Sequence, residues 1–162
     1  MKYKNILFVC TGNICRSPMA KVIFEDMVAK SPELRSTGIT VKSAGTLNMD
    51  HHEASDKAIQ VMNEQGLDLI SHRSKHIDQD LIDWSDMILV MEEEHREYIL
   101  DQFTHAHNKV EMLTELAGEK GDIPDPIGQG IKTYRQCAGQ LTSLLRTISE
   151  KMTEGLAEHK QP

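Results

Sequence analysis

The chain has no apolar run near the ~20 residues needed to span a bilayer, and its first apolar stretch, Ile6 to Val9, is too short for a signal-peptide core. A cytoplasmic protein with no membrane partner is the expectation. Cysteine is scarce: three thiols, an odd number in a chain without an export signal, argue against a disulfide framework and leave at least one thiol for chemistry. Basic charge is in deficit, with 18 Lys and Arg against 25 Asp and Glu for a net charge of -7, which is poor for general nucleic-acid binding, and no nucleic-acid partner is expected. Any phosphate recognised by this chain has to be recognised locally. Internal repeats and low-complexity segments are missing as well, and nothing marks a second domain.

What is present is ordinary for a folded chain. At 162 residues, with 39% hydrophobic and 27% charged, the length suits one domain over residues 1–162 that buries roughly two thirds of its unfolded surface. Its exposed charges favour a monomer.

The apolar run Asn5 to Cys10 reads as a strand, followed by a Thr-Gly-Asn turn and then by Ser17-Pro18, a helix cap with proline at the first helical position. Ala20, Ile23, Phe24, Met27 and Val28 recur at helical spacing. Ile39 to Ala44 reads as a second strand, Ala54 to Gln65 as a helix stopped by Gly66, and Asp86 to Met91 as a third strand preceded by a short helix over Gln79 to Trp84. A charged helix follows from Glu92 to Gln102, and a short strand from Lys109 to Met112. Gly118 to Gln129, with three Gly and two Pro, is a loop; Ile131 to Met152 is a closing helix, and Thr153 to Pro162 is expected to fray. This alternation predicts an α/β three-layer sandwich, a four-stranded parallel sheet with helices on both faces, which binds ligands beyond the carboxyl ends of its strands. Cys10 stands at such an end.

The segment Cys10-Thr-Gly-Asn-Ile-Cys-Arg16-Ser17 puts a thiol and a guanidinium six positions apart on a loop that feeds a helix N-terminus. Backbone N–H groups converge there and the helix dipole favours anions, so Thr11, Gly12, Asn13, Ile14, Cys15, Arg16 and Ser17 form a candidate phosphate cradle. The same field, with Arg16 and a hydroxyl such as Ser17, favours a thiolate at Cys10. Arg16 has a planar fork that can grip two phosphate oxygens, which a lysine point charge does less well. A lone Cys with Arg six residues on is common, and a strand-end thiol is usually just a small apolar residue. The strand before, the Gly-Asn within and the Ser-Pro and periodic helix after are what raise Cys10 to a nucleophile.

The stretch Leu7-Phe-Val-Cys-Thr-Gly-Asn-Ile-Cys-Arg-Ser-Pro-Met-Ala20 resembles the low-molecular-weight protein tyrosine phosphatases, a family that includes bacterial protein arginine phosphatases. The likeness extends through Ser43-Ala-Gly-Thr46 and His72-Arg-Ser74 to Asp125-Pro126. It implies a cysteinyl-phosphate intermediate, a phosphorylated protein as substrate, inorganic phosphate as product and no cofactor. It makes Asp125 the general acid over its loop neighbour Asp122, although an Asp-Pro pair alone is more often a plain turn. It also implies that Asn13, Ser43 and His72 support the loop.

His51-His52 and Glu53 diverge in direction and lack a partner at ligand-like spacing, so no metal is expected. Cys15 can trap an oxidised Cys10 as a disulfide, and Cys137 is expected to be inert. For the substrate the features conflict. Two aromatics usually follow Asp-Pro in the tyrosine-specific pattern, where this chain has Ile127-Gly128, and Leu47 to Asp50 supplies no aromatic either, which favours phosphoarginine. Ile14 favours phosphotyrosine, since the arginine branch usually has threonine there. Phosphotyrosine ranks first because Ile14 lies in the loop itself. Arsenate reductases share the loop but relay a disulfide through two further cysteines, and none stands between residues 16 and 136.

Overall fold

The computed structural model describes residues 3–158. Four strands, β1 (Asn5–Cys10), β2 (Thr40–Gly45), β3 (Met87–Val90) and β4 (Val110–Met112), form one sheet in the order β2-β1-β3-β4, every pair parallel. β1 is interior, and all of it but Asn5 is buried. A parallel strand covered on both faces reads as a continuous apolar run, because successive side chains alternate between two cores. Ile6, Phe8 and Cys10 enter one core and Leu7 and Val9 the other.

The first core is closed by helices α1 (Arg16–Lys30), α3 (Asp56–Glu64) and α7 (Ile131–Glu158). Phe24 of α1 meets Phe8 edge-on, ring centroids 5.9 Å apart. The second core is closed by α4 (Gln79–Trp84) and α5 (Glu93–Gln102), through Ile82 and Ile99. Each fully buried Leu, Ile or Phe contributes roughly 1.5–3 kcal/mol of transfer free energy. The chain leaves β1 toward β2 on one side and reaches β3 on the other, so the strand order reverses at β1. Cys10 lies at the carboxyl end of that strand, where an open α/β sheet places its ligands.

Several boundaries differ from the sequence expectation. Helix α1 begins at Arg16, with Cys15 at its N-cap making no capping bond, so Ser17 lies inside the helix and is not its cap. Ser55 caps α3 by accepting the Ala58 N–H at 3.3 Å, which moves its start past Ala54. Helix α7 continues beyond Met152 to Glu158 because Met152 and Leu156 still pack on the first core. Of the expected frayed tail, residues 153–158 are helical, while 159–162 lie outside the described residues. Two short helices were not anticipated: α2 (Pro32–Arg35), held by a Ser31 cap and buried Leu34, and α6 (Leu113–Leu116).

Candidate active site

Between β1 and α1 the chain makes a tight loop whose inner turn rests on Asn13, at φ 55°. Asparagine tolerates this left-handed conformation better than most residues, and its side chain, 1% exposed, is fully engaged. Nδ2 donates to Ser17 Oγ at 2.8 Å and to Ser43 Oγ at 3.0 Å, and Oδ1 accepts the Lys75 N–H at 3.0 Å. His72 Nε2 lies 2.7 Å from the Asn13 carbonyl, and burial lowers the His72 pKa, so the neutral ring donates that bond. Of the three supports expected from sequence, Ser43 and His72 thus both bond the third, Asn13, joined by the Lys75 N–H, which no motif announced.

Gly45, at the end of β2, presses on the same loop. A Cβ there would sit 2.6 Å from the Thr11 carbonyl and 3.0 Å from the Asn13 N. Neither backbone atom can yield without moving the cradle. Gly45→Ala is expected to cost about 1–3 kcal/mol of stability and to lower turnover, checked by urea unfolding beside initial rates.

Cys10 Sγ lies 2.9 Å from Ser17 Oγ. The Ser17 hydroxyl accepts from Asn13 and has one proton, for which the Ala44 carbonyl at 3.3 Å and the sulfur compete; turned to the sulfur, it stabilises negative charge there. Ser17 and Asn13 therefore sit behind the loop. Cys10, Thr11, Gly12, Ile14, Cys15 and Arg16 line a cavity of about 260 Å³, whose walls are Leu47, Met49, Asp125 and Ile127. With Cys15 contributing no cap, the first-turn N–H groups of α1 stay available to an anion.

Arg16 is 1% exposed. Its Nη1 pairs with Glu92 and donates to the Ile123 carbonyl at 2.8 Å; its Nη2 donates to Thr11 Oγ1 at 3.2 Å and lies 3.3 Å from Asp125 Oδ2. Burial alone would lower its pKa, but the charges of Cys10, Asp125 and Glu92 outweigh that and raise it. Glu92, just past β3, is the functional neighbour that sequence reasoning missed. Its one legible signal is position, at the carboxyl end of the strand beside β1.

The two loop aspartates separate cleanly. Asp122 accepts the Glu93 N–H at 2.8 Å and so caps α5, whereas Asp125 lines the cavity and accepts the Ile127 N–H at 3.1 Å. Cys15 Sγ lies 3.3 Å from both Ser55 Oγ and Tyr134 Oη, and burial raises its pKa. Burial likewise pushes Cys137 up to about 12, and all three cysteines are free. Glu92, Glu94 and His95 bring ligand-type atoms within 4.8 Å of one another. Both His95 nitrogens are already hydrogen-bonded and Glu92 is paired with Arg16, so this group is poorly suited to a cation.

A thiol over a buried guanidinium, at the mouth of a helix N-terminus and beneath a carboxylate, can take a phosphoryl group and release it to water. Fold and site together define a cysteine-dependent phosphatase. Residues 5–160 match the sequence model of the family described as low molecular weight phosphotyrosine protein phosphatase, and the chain belongs to that family. It is 38% identical to a protein-arginine-phosphatase of Geobacillus stearothermophilus, covering 94% of this chain and 97% of that one. It is 34% identical to the low molecular weight protein-tyrosine-phosphatase Etp of Escherichia coli K12, over 87% and 89% of the two chains. The solved YwlE arginine phosphatase from Geobacillus stearothermophilus superposes with a TM-score of 0.87 at 37% identity, with 98% of each chain covered. Among the described residues no helix is long and apolar enough to cross a membrane.

Proposed function

We propose that the chain is a phosphatase of phosphotyrosine in proteins, acting through a Cys10 phosphate intermediate. The Cys10 thiolate attacks phosphorus, an S–P bond forms as the P–O bond breaks, and Asp125 protonates the departing phenolate. Water then attacks the phosphocysteine and gives its proton to Asp125; the S–P bond breaks, and inorganic phosphate leaves with the thiolate restored. Arg16 and the loop N–H groups hold the phosphoryl oxygens throughout.

The observation that carries the substrate class is the cavity wall: Ile14, Leu47, Met49 and Ile127 surround the thiol with aliphatic surface. An aromatic ring gains from that surface, whereas a phosphoguanidinium would leave its N–H groups with Asp125 as the one charged partner on the wall. A second reading, phosphoarginine, is favoured by the similarity to arginine phosphatases and by a wall with no aromatic ring for stacking. Initial rates on matched phosphotyrosine and phosphoarginine peptides distinguish them. A phosphotyrosine preference is expected; a phosphoarginine preference would overturn the first reading in favour of the second.

The acid is tested separately. Asp125→Asn keeps an oxygen for the Ile127 N–H but has no proton of carboxylic strength, so turnover of phosphopeptides should fall by roughly 10²- to 10⁴-fold. Aryl phosphates with activated leaving groups should lose far less.

A further inference from the structure

Thr11 Oγ1 is approached by two groups, one from outside the cavity and one from its lining. One is His95, 1% exposed, in the first turn of α5. Its Nδ1 lies 3.1 Å from the Glu92 backbone N. A backbone N–H can only donate, so Nδ1 is the acceptor and the proton of the neutral ring sits on Nε2. Nε2 is 2.8 Å from Thr11 Oγ1 and therefore donates to it. The second group is Arg16, whose Nη2 donates to the same oxygen at 3.2 Å. Neither donor can accept a proton in return, and both lone pairs of the hydroxyl are taken. Its single proton has to turn elsewhere, and Thr11 lines the cavity above Cys10.

We infer that His95 is a positioning residue which, by donating to Thr11 Oγ1, commits the Thr11 hydroxyl to donate its proton to an oxygen of the bound phosphoryl group. The inference rests on the phosphatase reading of the Cys10 site. The arrangement needs a neutral His95, and burial, followed by the Arg16 charge, lowers the ring's pKa to about 4. At neutral pH the Nε2–H tautomer persists, and the hydroxyl has no freedom to present a lone pair to a phosphoryl oxygen, which would repel it. The Thr11 donor thus adds a side-chain hydrogen bond to those of the loop backbone and Arg16, and it links α5 to the cradle across 84 positions of sequence.

The test is a double-mutant cycle on the full chain, read as kcat and KM on a phosphopeptide and as the inhibition constant of inorganic phosphate. Thr11→Val should weaken phosphate inhibition and lower kcat/KM by roughly 10- to 100-fold, the range for one hydrogen bond to a charged group. Thr11→Ser, which restores the hydroxyl, should recover most of this. His95→Phe, which keeps a ring but no donor, should show a comparable loss alone and little further loss in the Thr11→Val background. His95→Gln, whose amide can still donate from near the Nε2 position, should recover much of the activity. Should His95→Phe fail to fold, Thr11→Val and His95→Gln carry the comparison: His95→Gln as damaging as Thr11→Val would overturn the inference. A full His95→Phe penalty in the Thr11→Val background, with phosphate inhibition unmoved, would overturn it too and reduce His95 to packing. A wild-type chain with no Cys10-dependent hydrolysis would overturn the phosphatase reading itself and this inference with it.

Discussion

Cys10→Ser is expected to abolish turnover while leaving oxyanion binding close to that of the wild type. A serine hydroxyl is almost wholly protonated at neutral pH, and its neighbours Ser17 and the positively charged Arg16 favour an anion here without taking the proton that an alcohol nucleophile has to lose. The loss in kcat should reach at least about 10⁴-fold, the scale on which removal of a covalent nucleophile falls in other enzymes. Binding should survive because the cradle is built from other parts, the N–H groups at the start of α1 and the guanidinium of Arg16. Isothermal titration with inorganic phosphate beside single-turnover rates separates the two effects. Retention of activity by the serine variant would sink the thiol-phosphate mechanism.

Arg16→Lys should be nearly as damaging to catalysis, although it preserves the charge. The guanidinium spans Glu92 and the Ile123 carbonyl with one nitrogen and Thr11 and Asp125 with the other, and a single ammonium with three N–H groups cannot hold all four. A loss of about 10²- to 10³-fold in kcat is expected, comparable with deleting an oxyanion donor. Stability should fall too. Arg16→Met would go further, since it strands the half-buried Glu92 carboxylate beside a buried apolar side chain, at a cost somewhat below the about 3–5 kcal/mol of breaking a fully buried pair. Thermal unfolding of wild type, Arg16→Lys and Arg16→Met should rank in that order. Equal melting points in all three would show that Glu92 finds solvent once Arg16 is gone.

The legible and illegible parts of the site differ in sequence separation. The cradle was readable because Cys10, Arg16 and Ser17 lie within one strand-loop-helix unit whose turn places Asn13 at a left-handed φ. The continuous apolar run of β1 and the helically spaced stripe of α1 were legible locally. Ser17 was misread as a cap because hydroxyl-proline pairs usually start helices. Its actual contact, the Cys10 sulfur, depends on the loop folding back, which no local rule specifies.

The amino-acid sequence by itself determined the class of chemistry, the parallel α/β architecture and the loop that carries the thiol, since each is written in residues close together along the chain. Only the tertiary structure decided that Asp122 caps α5, that Glu92 anchors Arg16 from 76 positions away, and that His95 reaches Thr11 from 84. The physical reason is the strand order: placing β3 beside β1 brings its carboxyl end against the cradle, and a sheet's neighbours are chosen by the packing of two whole cores. No single segment carries that information.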